Sequence, residues 1–259
     1  MKAMEIGAVI VTYNSADTLS RCILGLWAEG VSTIVVVDNA SADNSVAIAR
    51  GLGVICLAQS DNKGFAQACN YGAKQLHTPV LLFINPDAVL LAKALSRAAQ
   101  HLINSRQVGV VGLTLVSSDL TPESVDQRYP VTLRHLLFRQ LLPAPPTTRS
   151  EQVSWVSGGA MLVRRQAWQT AAGFDENFFL YWEDVDFCQR LRTAGWQIIL
   201  EPRALVQHQR GASPLSSPRR TQLYDASADR YFKKHYTAPV WATQRLLRRL
   251  YRVWSPQVR

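Results

Sequence analysis

Cysteine is scarce in this chain of 259 residues, and Cys22, Cys56, Cys69 and Cys188 form no CxxC pair. This excludes a paired-cysteine metal or dithiol motif, and the apolar neighbours of three of them predict reduced, buried thiols in a cytosolic protein. Long hydrophobic runs are absent too: none approaches the ~20 residues of a membrane span. The N-terminal MKAMEIGAVIVTYN has one lysine and a short apolar run, which reads as a first strand and not as a signal peptide. No GxGxxG follows that run, and GxxxxGK[ST] occurs nowhere, so a dinucleotide oxidoreductase and a P-loop NTPase are both disfavoured. Acidic residues nearly vanish from the C-terminal part. Residues 203–259 hold 12 Lys/Arg against 2 Asp/Glu, whereas residues 1–202 hold 16 against 17. The positive field therefore belongs to the C-terminal segment, and no nucleic-acid partner is expected for the main body.

What is present is a large apolar fraction, 47% of the residues, enough for a substantial core. Near-continuous Val/Ile/Leu runs at 6–12, 33–38, 53–58, 79–84 and 108–116 predict strands covered on both faces. Helical patterns lie between them at 16–29, 43–51, 64–76 and 91–104. The alternation predicts an α/β fold with a mainly parallel sheet, whose ligands bind beyond the carboxyl ends of the strands. Those ends read TYN, DNAS, SDNKG and NPD, all polar. The proline-bearing stretch 117–152 reads as weakly structured, either a mobile loop over a site or a surface insertion.

Several residues fit turn chemistry incompletely. Asp38 ends a buried strand, where a carboxylate can accept from a base N–H or ribose hydroxyls. Asn62 or Asp61 can cap the next helix, Gly64 permits close backbone approach, and Asn70 can reach back toward the strand ends. Asn85-Pro86-Asp87 interrupts an apolar run and holds Asp87 at the tip of a turn, as a plain Asp turn or a hard-cation ligand. Gly158 and Gly159 allow either a bulge or close substrate approach. His208 follows a further strand and is a conceivable metal ligand.

The most informative stretch is NFFLYWEDVDFCQRL, 177–191, where three acids stand among aromatic residues. A helix starting at Glu183/Asp184 and stopping near Gly195 is expected. At ~100° per residue Asp184 shares the apolar stripe of Phe187, Cys188 and Leu191. Asp186 falls on the opposite side, where it is expected solvated and paired with Arg190. An enclosed Asp184 can serve as a general base.

Taken together, VIVTYN, VVDNASADNS, DNKGFAQACNYG, FINPDA, WVSGGAMLVRR, GFDENFFLYWEDVDFCQRLRTAGW and HQRGAS resemble the family-2 inverting glycosyltransferases of the GT-A fold, in their rhamnosyltransferase-like branch. The seven stretches span residues 9–213. The resemblance implies a transferase acting on a UDP- or dTDP-linked sugar, possibilities including rhamnose, and on a saccharide or polyprenyl-linked acceptor in surface polysaccharide synthesis. It implies that Thr12, Tyr13 and Asn14 line the nucleotide pocket, that Asp38 contacts the base, and that Asn62, Gly64 and Asn70 support them. Asp87 matches the metal acid of the D-x-D motif and His208 a later ligand of the same Mg2+ or Mn2+. Asn85 departs from the pattern, standing where many relatives have the first Asp. Asp184 matches the catalytic base with Glu183 beside it, and Trp155, Gly158, Gly159 and Trp182 would shape the acceptor and sugar site.

The implied organisation is a GT-A domain over 1–213, with a nucleotide-binding half at 1–115 and an acceptor half at 153–213, then a basic helical extension at 214–259. In TQRLLRRLYRVW, 243–254, a helical projection puts Leu246, Leu247, Leu250, Tyr251, Val253 and Trp254 on one arc, with Arg245, Arg248, Arg249 and Arg252 opposite. A basic helix of this kind suits an anionic membrane surface, so residues 240–259 predict a cytoplasmic protein peripheral to the inner leaflet; docking of the helix on the main domain is the alternative. Two rival functions are a nucleotidyltransferase and a non-catalytic basic binding protein. TYNSADTL lacks the Gly-rich basic loop of the first, and the second leaves the inward Asp184 and Asp87 unexplained.

Overall fold

The computed structural model describes residues 4–123, 127, 130–132, 148–208 and 216–254, the side chains of residues 217 and 249–254 excepted. Strands β1 (Ile6–Thr12), β2 (Thr33–Asp38), β3 (Ile55–Ala58) and β4 (Val80–Ile84) alternate with helices α1 (Ala16–Ala28), α2 (Ser45–Gly51) and α3 (Phe65–Ala73). Then come β5 (Ala88–Leu90), α4 (Ala94–Asn104), β6 (Val108–Val116), β7 (Glu151–Gln152), β8 (Ala160–Arg164) and α5 (Arg165–Thr170). The chain ends with α6 (Glu183–Thr193), β9 (Gln197–His208), α7 (Ser217–His235) and α8 (Ala238–Trp254).

The strands pair in the order β3-β2-β1-β4-β8-β6-β9-β5, with β7 on β9. The first four are mutually parallel, as the alternating pattern predicts. The sheet as a whole is mixed, which corrects the mainly parallel expectation. β8 enters antiparallel between β4 and β6, and β5 and β7 run antiparallel to β9. Strand periodicity reports which faces are buried and carries no information on direction.

Successive side chains along β1, β2 and β4 face opposite ways. Ala8, Ile10, Ile34, Val36, Leu82 and Ile84 join one core with α1 and α4. Val9, Val11, Val35, Val37, Leu81 and Phe83 join the other with α3, α5 and α6. Both faces are thus covered, so the polar carboxyl ends of the strands are the part of the sheet left for a ligand.

A third cluster lies outside the sheet. Phe178, Trp182 and Val185 pack against Ala228, Tyr231 and Phe232 of α7, with Trp155 and Trp241 at its margin. The segment expected to begin an extension at residue 214 therefore shares a core with the 178–185 region. α8 docks on α7 in turn, where Arg248 is paired with Asp225 and Asp229, and Arg245 with Asp229 at 3.4 Å. Arg248 faces α7 rather than the open basic arc expected of it, whereas Arg245 stays 44% exposed while paired and Leu246 is 57% exposed. The expected arc members at 249–254 lie outside the described side chains.

Candidate active site

The nucleotide end of the expected site is built from three loops laced together. Thr12 and Asp38 are register partners at the ends of β1 and β2, and both are buried. Asp38 Oδ2 accepts the Ser41 N–H at 2.9 Å. Its Oδ1 and the Thr12 hydroxyl are buried without a hydrogen-bond partner among the described residues. Leaving such atoms unpaired costs stability, and an acceptor and a hydroxyl placed here can meet a ligand's polar edge.

Asn14 takes the left-handed conformation, φ 51°. Its N–H donates to Ser41 Oγ at 2.8 Å and its Oδ1 accepts the Ala42 N–H at 2.7 Å, so it staples the two loops beside the half-buried Tyr13. Asn39, from the polar DNAS strand end, is buried and central. It donates from Nδ2 to the Gly64 carbonyl at 3.2 Å and accepts from Gln59 Nε2 at 2.5 Å. Asn62 Oδ1 accepts the Gly64 N–H at 3.0 Å. Gly64 has φ 88°, and a Cβ there would collide with the Phe179 backbone, to which the Phe65 N–H donates at 2.7 Å. Only glycine combines that dihedral with that approach. Asn70 does not reach back to the strand ends. Both its amide hydrogens go to the Phe174 carbonyl and Glu176 Oε1, each at 2.9 Å, and its Oδ1 accepts the Phe174 N–H at 2.9 Å. It braces the segment leading into the acidic turn.

That turn is strained: Tyr181 and Trp182 both have positive φ, 68° and 69°, immediately before α6. Consecutive bulky residues in this region cost free energy and persist only where packing imposes them. The aromatic cluster against α7 supplies that packing, with Trp182 ring contacts to Tyr231 and Phe232. The result sets Asp184, partly exposed, against Gly158, whose N–H donates to Asp184 Oδ2 at 2.9 Å. Oδ1 accepts the Val185 N–H at 2.8 Å. Burial raises the Asp184 pKa, and these two N–H bonds oppose the rise. Glu183 is buried with Oε2 unpartnered among the described residues, and burial together with the Asp184 charge holds its pKa well above the usual carboxylate range. Trp155 and Trp182 border the same turn, each with an unpartnered indole N–H among the described residues.

Asp186 corrects an expectation. Its pairing with Arg190 stands, Nε to Oδ2 at 2.8 Å, but the residue is fully buried and not solvated. Lys234 Nζ at 2.8 Å and His235 Nε2 at 2.7 Å approach its Oδ1 from α7. Burial would raise its pKa, and these partners bring it below the usual value.

A third group closes the site. Asp87 Oδ1 lies 3.2 Å from His208 Nε2, and Asn85 Nδ2 lies 3.4 Å from the same nitrogen. β5 and β9 bring them together through the register pair Ala88↔His208. Glu123, which the sequence did not single out, accepts from His208 Nδ1 at 2.9 Å. Burial alone would lower the His208 pKa; Asp87 and Glu123 outweigh it and raise it to about 9. A cavity of about 380 Å3 opens on the pair, lined also by Thr18, Arg21, Ser117, Ser118 and Gln207. Among the described residues no three His, Cys, Asp or Glu side chains form a complete cation site. A carboxylate and an imidazole nitrogen side by side do fit a divalent cation whose other positions are filled by diphosphate and water.

Known proteins share this chain's family and fold. The family described as "Glycosyltransferase like family 2" matches residues 4–224, which reaches into α7. The N-acetylglucosaminyl-diphospho-decaprenol L-rhamnosyltransferase of Mycobacterium tuberculosis is 28% identical over 238 residues, covering 81% of this chain and 78% of its own. The O-antigen chain rhamnosyltransferase RfbN of Salmonella typhimurium is 23% identical over 222 residues, covering 82% of this chain and 68% of its own. Among solved structures, the Pyrobaculum calidifontis mannosyltransferase in complex with GDP-Man and Mn2+ superposes with a TM-score of 0.64 at 16% identity, covering 94% of this chain and 69% of that one. The glucosyl-3-phosphoglycerate synthase of Mycobacterium tuberculosis, with Mn2+ and UDP, superposes at 0.59 and 12% identity, covering 89% and 80%. The fold is therefore that of the GT-A glycosyltransferases, and the chain belongs to glycosyltransferase family 2.

Proposed function

We propose that this glycosyltransferase moves a sugar from a nucleoside diphosphate to a hydroxyl of a saccharide or lipid-linked saccharide, with inversion at the anomeric carbon. The observation that carries this reading is Asp184, a carboxylate fixed by the Gly158 N–H at 2.9 Å and left partly open beside a turn of aromatic residues. A carboxylate so fixed can take the proton of an acceptor hydroxyl as that oxygen attacks the anomeric carbon from the face opposite the diphosphate. One displacement of this kind inverts the centre and requires no enzyme nucleophile.

Thr12, Tyr13, Asn14 and Asp38 hold the nucleoside, with Asn62 and Gly64 shaping the adjoining loop; the unpartnered Asp38 Oδ1 and Thr12 hydroxyl support that placement. Asp87 and His208, beside Asn85, would hold a divalent cation, Mg2+ or Mn2+, which would supply charge neutralisation for the departing diphosphate. Gly159, Trp155, Trp182 and Glu183 border the acceptor. Rhamnose is the favoured sugar and a polyprenyl diphosphate saccharide the favoured acceptor, because relatives along most of the chain are rhamnosyltransferases and one is named for a decaprenol-linked acceptor.

Among the described residues no helix is long and apolar enough to cross a membrane. A peripheral position at the inner leaflet, through residues 240–259, suits a lipid-linked acceptor, and the exposed Leu246 supports it.

The test is acceptor-dependent release of nucleoside diphosphate. Asp184→Asn should lower turnover about 10³-fold while nucleotide-sugar binding stays within about twofold. Retention of more than about a tenth of the activity removes Asp184 from this role.

A further inference from the structure

We propose that Glu123 is the positioning residue of the cation site, fixing the His208 ring so that its Nε2 faces Asp87. This rests on the reading of Asp87 and His208 as cation ligands. Glu123 does not itself join them. Its Oε1 accepts from Nδ1 at 2.9 Å, on the side of the imidazole opposite the nitrogen that lies 3.2 Å from Asp87. A ring that donates Nδ1–H to a carboxylate has its tautomer and its rotation set together, and offers Nε2 as the coordinating nitrogen.

The segment carrying Glu123 is a built hairpin and not an arbitrary loop. The Ser117 N–H donates to the Thr121 carbonyl at 3.0 Å, and the Leu120 N–H to the Ser117 carbonyl at 3.0 Å. Asp119 at the turn accepts from the Ser117 hydroxyl and, at 3.3 Å, from the Thr121 N–H. The Glu123 N–H then returns to the Leu115 carbonyl of β6 at 2.9 Å, anchoring the residue to the sheet next to the end of β9. The side chains of Glu123 and His208 are 12% and 16% exposed, so neither has much freedom to rotate away. Ser117 and Ser118 of the same hairpin line the cavity in front of Asp87. One hairpin therefore supplies both part of the cavity wall and the brace of the ligand behind it.

Outer-shell partners of metal-binding histidines typically account for a 10–100-fold share of metal affinity. The experiment is Mn2+ titration of the full chain, read by the electron paramagnetic resonance of free Mn2+ with nucleoside diphosphate present, so that no turnover is involved. Glu123→Ala should weaken Mn2+ binding about 10–100-fold, and Glu123→Gln less, because its amide oxygen still accepts from Nδ1–H. In a His208→Ala background the Glu123 substitutions should add nothing, since the brace has lost what it holds. Should Glu123→Ala destabilise the fold, Glu123→Gln in the two backgrounds carries the same test. Mn2+ affinity unchanged within about twofold by both Glu123 variants, with His208→Ala still weakening it, overturns the brace and leaves the cation reading intact. An equal loss from Glu123 variants with and without His208 also overturns the brace, because the effect then bypasses the ring. If His208→Ala itself binds Mn2+ normally, the cation reading and the inference built on it fall together.

Discussion

Three carboxylates within four positions of the chain take three different environments. Asp184 is held by backbone N–H groups, Glu183 is buried without a partner among the described residues, and Asp186 is enclosed by cations from two helices. A buried carboxylate with such partners is costly to remove singly, because the partners are then left uncompensated. Asp186→Ala should therefore destabilise the fold by about 3 kcal/mol, visible as a lowered denaturation midpoint. A midpoint unchanged from wild type would show that the Lys234 and His235 contacts contribute nothing. The helical projection gave the Arg190 pair, but it set Asp184 on the buried stripe, and Asp184 is the partly exposed acid of the three. It missed the burial of Asp186 because a projection sees one apolar stripe, whereas α6 is covered on a second face by α7, about fifty positions further along the chain. Glu123 escaped for the same reason: its partner His208 is 85 residues away, and an acid directly after a proline carries no periodic signal.

Among the elements, β1, β2 and β6 begin and end where their Val/Ile runs do, since both faces of those strands are buried. β5 and β7 are too short to show a pattern, and the antiparallel entry of β8 depends on a long-range choice of neighbours. β9 is also where acid sensitivity should concentrate. Glu201 accepts from His101 Nε2 at 2.7 Å, from the Ser150 hydroxyl at 2.5 Å and from the Arg203 N–H at 3.0 Å, joining α4 and the approach to β7 at one buried carboxylate. Burial would raise its pKa, yet these bonds bring it down to about 2. A carboxyl lowered on folding contributes stability that is complete above its unfolded pKa of about 4.3 and is lost as pH falls toward the folded value. Glu201→Gln should thus flatten the decline of the thermal midpoint between about pH 4.5 and pH 2 relative to wild type. Identical slopes would mean that other carboxylates govern acid unfolding.

For the molecule as a whole, the sheet supplies a polar edge, and α7 folds back to hold the acidic turn against it. α7 thus shares a core with the acidic turn, and α8, docked on α7, adds an outward Leu246 at 57% exposure. The chain should co-sediment with anionic vesicles, less so as salt rises, and Leu246→Asp should weaken that binding without moving the thermal midpoint. Equal binding to neutral vesicles, or none to either, would count against an inner-leaflet position. The central claim is a single inverting displacement assisted by Asp184. Its most direct measurement is the anomeric configuration of the product, by proton NMR, from a nucleotide sugar of known configuration and a saccharide acceptor. The account predicts a product wholly inverted relative to the donor, formed by wild type and lost in Asp184→Asn. A product of retained configuration, or an inverted one formed equally well by Asp184→Asn, would contradict it.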